Sequence, residues 1–278
     1  MNKLSHDQRV QVINCLIEGC SIRSTVRMTG VAKKTVMRLV LEVGEVCERY
    51  QRDAFRNLLC KRIQLDELWA FVYCKQKNIT PKITSRVPSA GDIWLWVALD
   101  ADTKLVASWM LGDRTINTAA IFVDDLAGRL AHRIQLTTDG HRAYLEAVEG
   151  AFGTEVDYAM LQKIYGSEWV DEARYSPAKC LGARPRVIVG DPDPAHINTS
   201  YVERQNLSAR MMMRRYTRLT NAFSKKFEHH AAAVALNYFA YNFIRIHRSL
   251  RCSPAMAAGV TNHLWEVADL VALWESEE

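Results

Sequence analysis

The chain reads as an α/β protein in which a mixed sheet is flanked by helices and preceded by a small all-α segment. Two observations predict this. Apolar residues follow a helical period over the first fifty or so positions and a strand-like one from about Arg62 onward. The later part then runs as three strands, a helix, a strand, a helix and a strand, an order that builds a mixed sheet with helices on its faces.

Taken in order, Ser5 or Asp7 can cap a helix over 8–18, whose Val10, Ile13, Leu16 and Ile17 share a face, and Gly19 can end it. Residues 21–30 form a short second helix stopped by Gly30, and 33–43 form a third. A short helix, a glycine-bearing turn and a longer helix make the helix-turn-helix pattern, whose later helix enters the DNA major groove. Lys33, Lys34, Thr35 and Arg38 would then meet phosphates and base edges. The alternative is a plain three-helix bundle with a solvated basic face.

The first strand spans 63–72, and 81–91 is a polar loop. Residues 93–99 are apolar on both faces, which suits a central strand covered on both sides. The turn Asp100-Ala101-Asp102-Thr103 leads into a third strand over 104–111, so Asp100 and Asp102 are expected as turn formers. A helix over 117–130 carries Ile121, Phe122, Leu126 and Leu130 as its apolar set. Residues 133–138 form a strand ending at Asp139, 144–152 a helix, and 156–164 a fifth strand. This is the order of the ribonuclease-H-like fold.

Residues 165–200 carry Pro177, Pro185, Pro192 and Pro194 and are expected as an inserted loop with little periodic structure, Asp191 and Asp193 being turn residues. Leu264, Val267, Val271 and Trp274 stand at helical spacing in 262–274. That helix either folds back on the domain or meets a second copy. The expected domains are 1–58 (helix-turn-helix), 59–260 (catalytic, with the 165–200 insertion) and a C-terminal helix in 261–278.

Composition narrows the class. A chain of 278 residues, 49% hydrophobic and 24% charged, is globular in character. The net charge of +5 says little by itself, but seven basic residues and no acid lie between Arg204 and Lys226. No apolar run has the length of a membrane span, and the amino terminus lacks a signal-peptide core, so a soluble cytoplasmic protein is expected. Seven scattered cysteines without a Cys-x-x-Cys pair read as reduced thiols, not as a zinc site or disulfide framework.

Asp66 in the first strand, Asp139 at the end of the fourth and Glu203 near the start of an arginine-rich helix suit a pair of divalent metals acting on nucleic acid. In-line displacement at a phosphodiester builds charge on the attacking and leaving oxygens, and two Mg²⁺ (or Mn²⁺) ions roughly 3.5–4 Å apart stabilise both. Mg²⁺ takes a few carboxylate oxygens and keeps waters and substrate phosphate, so three acids from distant segments suffice. Each acid could equally be an ordinary surface or capping residue. On a helix, Glu203, Leu207, Arg210 and Arg214 fall on one stripe with Asn206 beside it, an arrangement that would let the acid reach metals while the arginines meet phosphates. Met211, Met212 and Met213 are expected to pack beneath it. His141 and the His229-His230 pair lack the spacing of a transition-metal site.

The run Tyr201-Val202-Glu203-Arg204-Gln205-Asn206-Leu207, with Arg210, Arg214, Arg215 and Ala222-Phe223-Ser224-Lys225-Lys226 after it, resembles the carboxy-terminal catalytic signature of DDE transposases of the insertion-sequence-one type, in the ribonuclease-H-like integrase superfamily. Leu65-Asp66-Glu67-Leu68-Trp69 and Thr138-Asp139-Gly140 resemble the first and second acidic motifs of that family, so the likeness runs from about Gln64 to Phe227. Tyr241-Asn242, Arg245, His247, Leu250 and Pro254-Ala255 are similar to a tail of many integrase-core transposases. The chain departs in lacking an amino-terminal cysteine zinc finger, and Glu228 is a candidate for the fourth acid described in some members.

The resemblance implies a bacterial, nucleoid-associated transposase that cuts DNA 3′ ends and joins them to target DNA. Asp66, Asp139 and Glu203 would be its catalytic acids and the ligands of two Mg²⁺ or Mn²⁺ ions, with water and then the 3′ hydroxyl as nucleophiles. Lys33, Lys34, Arg38, Arg204, Asn206, Arg210, Arg214 and Arg215 would contact DNA, in the terminal repeats of the element and in the target. Joining two ends in one event implies a homodimer or higher oligomer on DNA, with Leu264, Val271 and Trp274 or the amino-terminal helices as its contact. A nuclease or resolvase of the same fold without strand transfer, and a domesticated DNA-binding regulator, are the alternative functions.

Overall fold

The computed structural model describes residues 3–165, 180–217 and 221–277. Three helices open the chain: α1 (His6–Ile17), α2 (Ile22–Thr29) and α3 (Lys33–Ala54). Ser5 caps α1 through a capping box with Gln8, Ser21 caps α2, and Gly30 ends α2 in the left-handed conformation. The third helix runs well past the expected end at 43, because Val46, Cys47 and Gln51 extend its buried stripe.

Gly44 lies within that extension, and a Cβ there would come 2.6 Å from the backbone of Ala232. This close approach lets α3 pack along α8 (Phe227–Phe239). As a result Val12, Ile13, Val36, Leu39 and Val43 share one hydrophobic core with Leu236, Phe239, Phe243 and the sheet residues Ile63, Leu65 and Trp96. The described residues of the 1–58 segment thus share their core with the rest of the chain, and its helix-turn-helix role stays a proposal.

The sheet contains β1 (Arg62–Val72), β2 (Gly91–Asp100), β3 (Val106–Gly112), β4 (Ile134–Asp139), β5 (Val156–Tyr165) and β6 (Cys180–Val189), in the order β3-β2-β1-β4-β5-β6. Strands β1, β4 and β5 are parallel neighbours; β2, β3 and β6 run antiparallel to theirs. Helices α5 (Ile116–Ala127), α6 (Ala143–Phe152) and α7 (Ser200–Met212) flank it. A six-stranded mixed sheet with this order and these helices is compatible with a ribonuclease-H-like fold.

Four details depart from the sequence expectations. The stretch expected as a polar loop includes the short helix α4 (Pro81–Arg86), started by Thr80 as N-cap and Pro81 in the first turn. The expected 165–200 insertion contains β6, whose Pro185 is tolerated because β6 is an edge strand; residues 166–179 lie outside those described. Helix α7 ends at Met212, so Arg214 leaves the stripe of Glu203 and sits in a 3₁₀ turn, Arg214–Tyr216. Of the three methionines only Met213 is buried, while Met211 is exposed.

The expected turn residues are found in place. Asp100 accepts from the Thr103 amide and hydroxyl, and Asp102 pairs with Arg62, as turn residues do. Every cysteine is a free thiol. Among the described residues no helix is long and apolar enough to cross a membrane.

The C-terminal part closes the core. After α8, a π-helical turn over Ala240–Ile244 presents Asn242, whose amide bonds the backbone N–H and C=O of Val106 and the side chain of Gln51. That satisfies the start of the edge strand β3. Beyond α9 (Pro254–Ala257), α10 (Val267–Glu275) folds back on α1 and α3, with Val267, Val271 and Trp274 buried. Val271 and Trp274 of the stripe considered for a dimer are therefore used within the chain, while Leu264 stays exposed.

Candidate active site

Alternation along β1 assigns its side chains to two faces. Ile63 and Leu65 belong to the main core, whereas Leu68, Ala70 and Val72 pack with Val202, Ala209 and Met213 on the α7 side. Gln64 and Asp66 share the α7 side. The Gln64 Oε1 accepts from the backbone N–H groups of Tyr201 and Val202, both at 3.0 Å. This fixes the first turn of α7, and with it Glu203, over Asp66. Leu65 is level with Thr138 in the parallel β1–β4 pair, so the next rung sets Asp66 beside Asp139.

Asp66 is held by two donors. The Glu67 amide gives to Oδ1 at 2.8 Å and the Asn206 side-chain amide to Oδ2 at 2.9 Å. Burial and the nearby Asp139 charge nonetheless push its pKa up to about 6. Asp139 Oδ1 accepts from the His141 amide at 2.9 Å, which shapes the turn into α6.

Glu67 points to the opposite face beside Trp96, its partner on β2. Its side chain is 2% exposed and ion-paired to Arg114 at 3.1 Å, with His141 Nδ1 3.8 Å away. Burial, followed by the Asp139 charge, raises the pKa of Glu67 to about 7. Asp66, Glu67 and Asp139 offer carboxylate oxygens that all lie within 4.8 Å of one another. Three like-charged oxygens crowded and partly desolvated in this way suit a hard divalent cation, and the buried Glu67 Oε1 has no hydrogen-bond donor.

Glu203 lines the same cleft, a space of about 1010 Å³ shared with Asp66 and Asp139. Its Oε1 is taken by Lys163 Nζ at 2.5 Å and by the Thr199 hydroxyl. The structure thus brings together two of the three expected acids with Glu67, and sets the third in the same cleft outside that cluster. Glu67 escaped the sequence reading because strand alternation sends adjacent residues to opposite faces; only the end of β4, reaching both, joins them. Lys163 and Arg114 carried no sequence signal beyond their charge.

Comparison with protein-family profiles and with curated protein sequences gives no match. Among solved structures, the piggyBac transposase synaptic complex with hairpin DNA is similar over 99% of this chain and 71% of that one, at 9% identity and a TM-score of 0.45. A likeness that low carries no weight beside the strand order and the acids.

The expected DNA contacts divide by exposure. Lys33, Lys34, Arg38, Arg204 and Arg214 are exposed, Arg38 with Glu42 as a neighbour at 3.5 Å. Asn206 is buried and engaged with Asp66, so its place is with the acids and not with a DNA backbone. Arg210 donates to the Tyr216 carbonyl, and Arg215 to the carbonyl of His229. Burial lowers the pKa of Arg215 to about 10, as befits a guanidinium turned inward. His230 is buried between the Ser224 and Tyr216 hydroxyls and is a packing residue. Glu228 is exposed on the first turn of α8 and does not line the cleft.

Proposed function

We propose that the protein is a DDE transposase of the insertion-sequence-one type, cutting DNA 3′ ends and joining them to a target. What supports the reading is one observation above the others: Asp66 inside β1 and Asp139 at the end of its parallel neighbour β4 present carboxylates to a cleft that Glu203 reaches from α7. In this reading Asp66, Asp139 and Glu203 are the catalytic acids and would hold Mg²⁺ or Mn²⁺, with Glu67 an additional oxygen donor. Bound there, two such ions would supply Lewis-acid stabilisation of phosphodiester displacement.

The chain's own residues prepare the ground. Asn206 and the Glu67 amide orient Asp66, Gln64 fixes the register of α7, and Arg114 balances Glu67. Exposed Arg204 and Arg214 would meet backbone phosphates near the cleft, and Lys33, Lys34 and Arg38 at the start of α3 would read an element end. Joining two ends calls for at least two copies on DNA, and symmetric dimers are the commonest arrangement of homo-oligomers.

Alanine at Asp66, Asp139 or Glu203 is expected to abolish Mg²⁺-dependent DNA cleavage while DNA affinity persists. Near-normal cleavage by Glu203→Ala would remove Glu203 from the site and leave the Asp66–Glu67–Asp139 cluster in its place. A nuclease without strand transfer would use the same acids, and a joining assay separates the two.

A further inference from the structure

Lys163 stands on β5 two residues beyond Leu161, the β5 residue level with Asp139. Its ammonium and the Thr199 hydroxyl both engage Glu203 Oε1, which draws that carboxylate toward β5 and away from the Asp66–Glu67–Asp139 cluster. Side chains of both partners keep contact with solvent, 25% for Lys163 and 39% for Glu203, and an ion pair so placed holds its members weakly. Lysine is suited to exchange partners, since its compact charge rides on a flexible stem with three rotatable donors. Arg142 also lines the cleft, and its exposed guanidinium has no acidic partner among the described residues. The cleft therefore offers an anion two cations, Lys163 and Arg142, the first of them engaged by Glu203.

We infer that Lys163 is a DNA-backbone contact that also positions Glu203: a phosphodiester oxygen entering between Lys163 and Arg142 takes the ammonium from Glu203 and frees that carboxylate for the acidic cluster. This rests on the reading of the cleft as a DNA-processing site. Its consequence is order. Before DNA arrives the cluster has three carboxylates and Glu203 is neutralised apart from them; afterwards the fourth carboxylate is released where substrate charge is also held.

The test uses the full chain, with folding of each variant checked by circular dichroism. In EDTA, binding to a short labelled duplex of arbitrary sequence is followed by fluorescence anisotropy across a salt series. Lys163→Met is expected to bind severalfold more weakly, with the slope of log K against log salt reduced by about one, and Lys163→Arg to keep the slope. Glu203→Gln is expected to bind more tightly, because it removes the carboxylate paired with the ammonium, and to lose that gain when combined with Lys163→Met. Without DNA, Mn²⁺ titrated by electron spin resonance is expected to bind Lys163→Met more tightly than the wild type.

An unchanged salt slope in Lys163→Met, or a Glu203→Gln gain that survives in the double variant, overturns the DNA contact. Unaltered Mn²⁺ affinity in Lys163→Met overturns the release of Glu203. A wild type that binds no Mn²⁺ defeats the cation reading of the acids instead, while the EDTA measurements still decide Lys163. Should Lys163→Met fail to fold, Lys163→Gln serves in the same measurements.

Discussion

Asn206 donates its side-chain amide to Asp66 Oδ2 at 2.9 Å, while its own Oδ1 is buried without a hydrogen-bond donor. One half of the amide is thus spent on orienting a carboxylate from β1, and the other is left unsatisfied at a cost proteins rarely accept away from functional sites. Gln64, two residues earlier on the same face, ties down the start of the same helix. Together they make the β1–α7 contact a device for aiming acids, with Glu203 one turn into the helix.

Replacing Asp66 by Asn is expected to raise stability while removing metal-dependent activity. The wild-type carboxyl has a folded-state pKa of about 6 against 3.8 for the free group, so folding favours its protonated form. That favourable contribution is complete below about pH 4 and is lost as pH rises to about 6. The gain from Asp66→Asn should therefore grow across this window and level off above it, at of order 1–3 kcal/mol. Asn206 can rotate its amide to accept from the new side chain, which would also satisfy its orphaned oxygen. Urea denaturation at several pH values checks this; lower stability for the variant at pH 8 would contradict the crowding of the acids.

The amino-terminal helices cannot be excised to test DNA reading, because Val12, Ile13, Leu39 and Val43 are core residues shared with α8 and the sheet. Deleting the first fifty or so residues is expected to leave no folded domain. The informative variant is Lys33→Ala/Lys34→Ala/Arg38→Ala, exposed positions whose loss should shift stability by less than about 0.5 kcal/mol. Competition binding should show preference for an element end lost and salt-sensitive non-specific binding retained. Unaltered end preference would assign these helices to structure alone.

His230 offers a stability test remote from the cleft. Burial, followed by the charge of Arg215, lowers its pKa to about 3, so the folded state excludes a proton that the unfolded chain takes up below about pH 6.5. Its stabilising contribution is present above that value and is lost as pH falls toward 3. Between pH 7 and 4.5 the wild type should lose about 2.5 kcal/mol relative to His230→Phe, which cannot ionise. A stability difference between them that stays constant with pH would show that His230 takes up a proton in the folded state.

Strand and helix order, and hence the sheet that carries the acids, was legible because apolar residues mark the strands locally, on alternate positions in β1 and on both faces in the central β2. β6 was not, since nearly every residue in it is exposed on an edge and no buried face imprints a period. The length of α3 depended on a partner helix distant in sequence, through Gly44 and Ala232. Asp66 and Asp139 could be chosen from their places at strand positions, and β1–β4 register brings them side by side. The roles of Glu67, Lys163 and Asn206 follow from contacts between strands and helix that no local pattern encodes. Asn206 read as a DNA contact because its arginine neighbours are basic, yet one step around the helix turns it inward.

The central claim, that Asp66, Asp139 and Glu203 serve DNA cleavage and joining, is tested most directly by a strand-transfer assay. Duplexes taken from the DNA flanking the coding sequence on each side would be incubated with the full chain, Mg²⁺ and a supercoiled plasmid, beside Asp139→Asn. The account predicts cut 3′ ends covalently joined to the plasmid by the wild type and neither cutting nor joining by Asp139→Asn. Joined products formed equally by both proteins would contradict it.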